Sequence, residues 1–403
     1  MAPQPHAARV LILVENLPSP FDRRVWQEAT ALHAHGYQVT IVCPTGKGCE
    51  KHREDIDGIA IYRYDLPTEA EGALGYVLEY GAALWHSFRL AWRVRRERGF
   101  DIVHACNPPD LLFLVGGWFK LWHGTRFVFD HHDINPELYE AKFGRRGLLW
   151  RLMVWLERRT FRTADVSIAT NESYRRIAIE RGGMDPSRVF VVRSGPKLDR
   201  LKVLPPSPAL KRGRRFLVGY VGVMGKQEGI DYLLQAAAHI VHELRRDDVH
   251  FGLVGGGTSL DEMKRLAVAL KVDDFVTFTG RVPDAELLAM LNTADVCVNP
   301  DIANEMNDKS TMNKIMEYMA LGKPIVQFDL TEGRFSAREA SLYARPNDAV
   351  DLAHKLVELL DDPARRERMG AFGRRRVEQE LEWRYEVPKL LAAYDALAVH
   401  RPA

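Results

Sequence analysis

Three stretches of the chain concentrate side chains suited to phosphate, sugar hydroxyls or protons. Residues 307–326 read NDKSTMNKIMEYMALGKPIV. Asn307, Asp308, Ser310 and Thr311 are cap and turn formers, and the pattern after them predicts a helix over residues 313–321. Gly322 then Pro324 mark its end. A helix start leaves N–H groups unpaired and carries partial positive charge, which suits a diphosphate. Lys314 in the first turn adds a full charge. Glu317 follows on the same face, where a carboxylate can accept from ribose hydroxyls. The competing reading is an ordinary capped helix with a Lys/Glu surface pair.

Residues 220–233, YVGVMGKQEGIDYL, read as strand, glycine turn and helix. Gly222 and Gly225 let backbone approach a phosphate closely; a plain βα turn is the alternative. Residues 253–260, LVGGGTSL, hold Gly255, Gly256 and Gly257, but Leu260 stands where a dinucleotide fingerprint needs its third glycine. The first βα turn, residues 15–22 (ENLPSPFD), has no glycine at all, so hydride transfer is disfavoured. Residues 127–137, FVFDHHDINPE, bring Asp130, His131, His132 and Asp133 to the end of a strand. Adjacent strand residues point to opposite faces, so the two histidines do not readily share one ion, and no metal centre is expected.

These stretches need a scaffold of strand ends. Short apolar runs at residues 9–14, 38–43, 101–104, 126–129, 166–169 and 189–192 alternate with helical stretches such as 23–35 and part of 164–181. Unbroken apolar strands between helices imply a parallel sheet covered on both faces. Residues 200–215, RLKVLPPSPALKRGRR, are proline-rich and aperiodic and read as a linker. The alternation then restarts at 216–221, 250–254, 275–278, 296–299 and 324–328. The expected organisation is a domain over 1–200, a linker over 201–214, a domain over 215–380, and a final helical segment over 381–403 that crosses back to the first domain. Doubly wound sheets bind ligands at the carboxyl ends of their strands.

Composition narrows the function class. The 403 residues are 46% hydrophobic and 27% charged, with a net charge of +2. That balance suits a globular protein and not a dedicated nucleic-acid binder. The four cysteines, Cys43, Cys49, Cys106 and Cys297, form no C-x-x-C pair, and Cys43 and Cys297 lie in apolar runs. They read as thiols in a reducing cytoplasm. The sequence shows neither a signal peptide nor an apolar run long enough to span a bilayer.

The first stretch resembles the donor-site signature of the family 4 glycosyltransferases. That signature joins a Glu, through a spacer, to a second Glu and a small-residue helix ending in Gly-x-Pro. Glu317 with EYMALGKPIV stands at its second half. Lys309 stands at the first Glu position, with Asp308 beside it to take over its contact with the donor sugar. GVMGKQEG resembles the family's glycine turn, with Val223 and Glu228 in the places of the Arg and Lys that hold the leaving diphosphate. Lys226, Lys309 and Lys314 are the substitute cations, Lys314 the preferred one. Residues 254, 279–283 and 294–300 resemble the wall that holds base and ribose, with Arg281 and Val282 at the base. His132 and Asp133 match the family's His-Asp, which reaches the donor sugar.

The resemblance implies a GT-B fold, that is, two Rossmann-like doubly wound parallel-sheet domains facing across a cleft. It implies a retaining, metal-independent hexosyltransferase whose co-substrate is a nucleotide-diphosphate sugar, with no further cofactor. His132, Lys314, Asp308 and Glu317 are the expected catalytic residues. Gly222, Val223, Lys226, Gly255, Gly256, Arg281, Val282, Asn307, Lys309, Ser310, Thr311 and Met312 are the expected donor contacts. PFDRRVWQEA at residues 20–29, with the GVMGKQEG turn, resembles a branch that builds bacterial surface polysaccharides on glycan or lipid-linked acceptors. The alternatives are a nucleotide-sugar epimerase of the same fold and a non-catalytic nucleotide-sugar-binding subunit.

Two stretches are both basic and apolar. Residues 74–98 interleave Tyr76, Trp85, Phe88 and Trp92 with five arginines, and residues 142–162 interleave Leu148, Leu152 and Trp155 with six. Tryptophan and arginine at helical spacing suit an anionic lipid interface. A peripheral position on the inner face of the membrane is therefore expected. The alternative is that each apolar stripe packs on the sheet and the arginines are simply solvated.

Overall fold

The computed structural model describes residues 8–66 and 72–397, with side chains from residue 80 onward in the second of these spans. The Tyr76 side chain and the last residues of the expected 381–403 segment lie outside what is described. The chain divides at Arg193/Ser194 and again at Tyr385/Glu386, so the first unit takes in both ends of the chain.

The first unit is built on β1 (Arg9–Leu13), β2 (Gln38–Pro44), β3 (Arg53–Ile56), β4 (Ile59–Tyr64), β5 (Ile102–Cys106), β6 (Arg126–His131), β7 (Val166–Ala169) and β8 (Val189–Val191). Their order is β3-β4-β2-β1-β5-β6-β7-β8. Only β3 runs antiparallel, against β4. Helices α1 (Arg23–Ala34), α2 (Gly72–Glu97), α3 (Phe113–His123), α4 (Asn135–Phe143) and α5 (Leu148–Thr163) follow in chain order. The sheet order reverses between β1 and β5, which pair directly in parallel. Leu11, Leu13, Val103, Phe119 and Phe127 pack into one buried cluster beneath it. The helix Val387–Asp395 buries Leu390, Ala393 and Tyr394 in this same unit.

The second unit is built on β9 (Phe216–Val221), β10 (Val249–Val254), β11 (Val276–Gly280), β12 (Val296–Asn299), β13 (Ile325–Phe328) and β14 (Ser341–Ala344). The order is β11-β10-β9-β12-β13-β14, with every pairing parallel. This is the dinucleotide-fold strand order, with its switch point between β9 and β12. Residues 201–214, expected as a linker, are tied to this unit. Leu201 lies in its core, Leu204 N donates to Asn292 Oδ1 (2.9 Å) and Ser207 N to Thr293 Oγ1 (2.8 Å). A proline-rich, aperiodic stretch whose N–H groups are bonded to one unit is part of that unit and not a free tether.

All four cysteines are buried and free. No described helix is long and apolar enough to cross a membrane.

Candidate functional site

The second unit gathers its candidates at the carboxyl ends of β9 to β12. Gly222 N donates to Val254 O (3.1 Å), Met224 N to Gly256 O (3.0 Å) and Gly255 N to Gly280 O (3.0 Å). The turns after β9, β10 and β11 are thus stitched into one backbone shelf, with the exposed Val223, Lys226 and Arg281 around it and Val282 packed half-buried below. Two glycines are obligatory. Gly255 has φ +134°, and a Cβ there would lie 1.8 Å from Gly222 O. Gly229 has φ +63°, and its Cβ would lie 1.9 Å from Pro300 O, which joins the β9 turn to the β12 loop. Asn307 Nδ2 donates to Gln227 O and Ile302 O, both at 2.8 Å, pinning the third element to the same shelf.

The first expected stretch folds differently in detail. Asn307, Asp308 and Lys309 are not caps of the long helix; they belong to a short helix, Glu305–Lys309, itself capped by Asn304. Asp308 is turned to Thr331, accepting from its N (2.8 Å) and Oγ1 (3.0 Å), so it caps the following helix. Lys309 pairs with Glu305 at 2.6 Å, and Ser310 Oγ donates to Met306 O. The long helix spans Asn313–Ala320, with extended Met312 at its N-cap, after Thr311, and no side-chain cap bond. Ile315 N donates to Met312 O (3.1 Å), so it is the N–H groups of Asn313 and Lys314 that face an incoming anion without a side-chain cap.

Lys314, expected to offer its charge to a diphosphate, is largely buried and held by two carboxyl groups. Its Nζ lies 2.5 Å from Glu228 Oε2 and 2.8 Å from Asp301 Oδ1, and 5.0 Å from the Tyr220 ring centre. Tyr220 donates its hydroxyl to Glu228 (2.9 Å). Burial works against the Lys314 charge, but Asp301 and Glu228 outweigh it and push its pKa up. Burial together with Glu228, opposed by Lys314, pushes Asp301 up to about 7. Glu317 does not pair with Lys314 either; its Oε1 accepts from Arg200 Nη2 at 2.5 Å, and Arg200 also reaches Asp284. Helical side chains lean toward the amino end, which carries Lys314 back onto the β9 and β12 loops.

In the first unit, β6 delivers the two histidines to opposite sides. His131 is buried 3.6 Å from Glu157 and packs on Phe161 and Tyr174. His132 turns its Nε2 to Asp130 Oδ2, with its side chain 13% exposed. Asn107 Oδ1 accepts from His132 N (2.7 Å) and Asp133 N (3.1 Å), fixing the backbone beyond the strand. Asp130 also meets Arg24 Nη2 (2.8 Å) and His104 Nε2 (3.4 Å), while Arg24 reaches Glu28 (3.0 Å) and His104 reaches the Tyr394 hydroxyl (2.7 Å). Burial alone would protonate Asp130, but Arg24 foremost and then His132 hold it well below the usual carboxylate range. Burial pushes Glu28 well above that range. Arg24, in the first turn of α1, is turned inward. Glu28, His104 and Tyr394 were not singled out; the one signal was an acid, Asp130, inside an apolar strand, which demands a buried partner.

Ligand atoms of Glu28, Asp130 and His132 lie within 4.8 Å of one another, as do those of His104, Cys106 and Asp130. The Arg24 guanidinium already supplies the counter-charge to Asp130, and burial holds Glu28 toward its neutral form. Burial pushes the Cys106 thiol well up, so it is no thiolate ligand.

A model described as Glycosyltransferase Family 4 matches residues 22–200, and one described as Glycosyl transferases group 1 matches residues 215–362. The D-inositol 3-phosphate glycosyltransferase of Thermobifida fusca (strain YX) is 31% identical over 347 residues, 82% of this chain and 73% of that protein. The chain belongs to family 4 of the glycosyltransferases. A phosphatidyl-myo-inositol mannosyltransferase of Mycobacterium leprae (strain TN) is 26% identical to this glycosyltransferase over 388 residues, 95% of this chain and 94% of the relative. The solved sucrose-phosphate synthase from Thermosynechococcus elongatus superposes with a TM-score of 0.77 at 19% identity, covering 97% of this chain and 99% of that one. The glycosyltransferase thus has the GT-B fold, with one parallel-sheet unit under each family model.

Proposed function

We propose that this glycosyltransferase moves a hexosyl group from a nucleotide-diphosphate sugar to a glycan or lipid-linked glycan acceptor, on the cytoplasmic face of a membrane and in polysaccharide assembly. The observation that carries the donor reading is the uncapped start of helix Asn313–Ala320, beside the glycine shelf at the β9/β12 switch point. A diphosphate there would meet backbone N–H groups and a helix dipole, the electrostatic stabilisation a departing diphosphate needs. In this reading Gly222, Gly255 and Gly256 give the backbone approach, and Arg281 and Val282 border the base. Lys226 supplies the mobile charge, Lys314 locks the two loops together, and Glu317, steadied by Arg200, takes the ribose. His132, oriented by Asp130, is the proposed catalytic side chain of the first unit. Transfer proceeds with retention and without a metal ion. The lipid-linked acceptor is supported by the M. leprae relative, which is named for a phosphatidylinositol substrate.

A thermal-shift screen of UDP, GDP and their sugars tests the donor site. One base is expected to stabilise the protein selectively, with the gain reduced in Glu317→Ala and abolished in Gly255→Ala. Equal shifts for parent and both variants would place the donor elsewhere.

A further inference from the structure

Helix α5 is built the wrong way round for a helix that only covers a sheet. Its sequence is LLWRLMVWLERRTFRT. The side that packs inward holds Val154, Glu157, Thr160 and Phe161. Phe161 rests on Phe129 and His131 of β6, and Glu157 is bonded to Arg181 (2.5 Å). The large apolar side chains are on the other side: Leu148 is 83% exposed, and Leu149, Leu152 and Trp155 are each about half exposed. Residues 148, 152 and 155 repeat at one-turn spacing and form a single outward stripe.

That stripe is bordered by one sign of charge. Arg151, Arg158, Arg159 and Arg162 are all exposed on α5, and the helix's single acid, Glu157, is buried. Arg159 lies over the Trp155 ring at 5.1 Å. Near the helix's carboxyl end, where Lys120 Nζ donates to Thr163 O, Leu121 and Trp122 of α3 are also exposed, Leu121 by 77%. A protein partner would need an apolar patch ringed with acids. An anionic bilayer offers both features everywhere along its surface, phosphate outside and acyl chains just beneath.

We propose that the outward face of α5, with the end of α3, docks on an anionic lipid bilayer, the leucines and Trp155 entering the headgroup boundary and the arginines meeting lipid phosphates. This names the surface behind the membrane-bound acceptor of the proposed function, and it is read by vesicle binding, separately from sugar transfer. The test is sedimentation of the full chain with phosphatidylcholine vesicles and with vesicles that also contain phosphatidylglycerol. The protein is expected to sediment with the second kind only, and to be released as salt is raised. Leu152→Glu with Trp155→Glu should lower the bound fraction about tenfold or more, because charge replaces the inserted apolar groups. Arg151→Glu with Arg158→Glu should remove the preference for phosphatidylglycerol. All four positions are exposed, so unchanged melting of both variants is the control. Equal binding to the two vesicle types, or binding that both variants retain, overturns the proposal. So does a concentration-dependent dimer that Leu152→Glu with Trp155→Glu dissolves, since a second copy would then cover the face.

Discussion

In the proposed mechanism Asp130 would serve both stability and chemistry. It balances Arg24 and sets the imidazole of His132, so that Nε2 is committed to the carboxylate and Nδ1 is the nitrogen left for other partners. Asp130→Asn keeps the shape but removes the charge. The expected result is a kcat lower by about 100-fold, with the donor KM changed less than about threefold, as for a residue acting through a catalytic imidazole. A buried Arg24 without its main partner should also cost about 3–5 kcal/mol in a denaturant melt. Steady-state kinetics beside that melt separate the two effects, and an unchanged kcat would remove Asp130 from the chemistry. The lysines make the opposite contrast. Lys314→Met leaves Glu228 and Asp301 facing each other in a buried site and should destabilise the second unit by about 3–5 kcal/mol, with partial recovery in Lys314→Met/Glu228→Gln. Lys226→Ala should leave the melt alone and weaken nucleoside-diphosphate binding roughly tenfold, the loss of one charge-assisted contact. At this scale the sequence exposes residue types but not partners. Lys314 and Glu317 were visible as a charged pair on one face, yet their true partners, Glu228, Asp301 and Arg200, come from other loops.

The strands were legible because both faces of a parallel sheet are buried, which leaves unbroken apolar runs such as those of β1, β9 and β12. What escaped were elements without that signature. β3 is an edge strand, Arg-Glu-Asp-Ile, with no buried position, and β4 carries a buried Arg63 held by Glu54 at 2.6 Å. β14 has four residues and no apolar alternation. In α5 the amphipathic pattern was visible but its direction was not, since only packing decides which face turns inward. Glycines give a test at this level. Gly229 and Gly213 both have positive φ, but a Cβ at Gly229 strikes Pro300 O while one at Gly213 meets nothing within 4 Å. Gly213→Ala should therefore cost about 1 kcal/mol from backbone strain alone. Gly229→Ala should exceed about 3 kcal/mol, since it must also push apart the β9 and β12 loops. Urea melts of the two variants check this, and equal losses would mean that the close approach to Pro300 carries no weight.

Two rounds of strand and helix imply two units, and the proline-rich stretch over residues 201–214 was expected to lie between them. The division falls at Arg193/Ser194 because Leu201 and the bonded N–H groups beyond it are already committed to the second core. Each unit then carries a buried aspartate that contributes to its response to pH, joined in the first unit by Glu28 and Asp133, which burial also pushes up. In the first, burial and the nearby Glu157 push Asp110 up to about 7 against the hydrogen bonds from Asn135 and Asn107. In the second, Asp301 is pushed up to about 7. A carboxyl whose pKa is raised on folding stabilises fully while both states are protonated. That contribution is lost as pH rises from the ordinary aspartate value through about 7, at up to about 1.4 kcal/mol per pH unit. Asp130 and Glu157, held below their ordinary values, act in the reverse sense and weaken the first unit only as pH falls into the acid range. Stability measured from pH 5 upward should therefore decline toward about pH 7 and then level off. Because the two aspartates belong to different units, calorimetry should assign the slopes separately. Asp110→Asn should reduce the pH dependence of the transition of the first unit and leave that of the second, and Asp301→Asn should do the converse. A slope in the second unit that survives Asp301→Asn would mean that Asp301 is ionised in the folded protein over that range and is not the source of the slope.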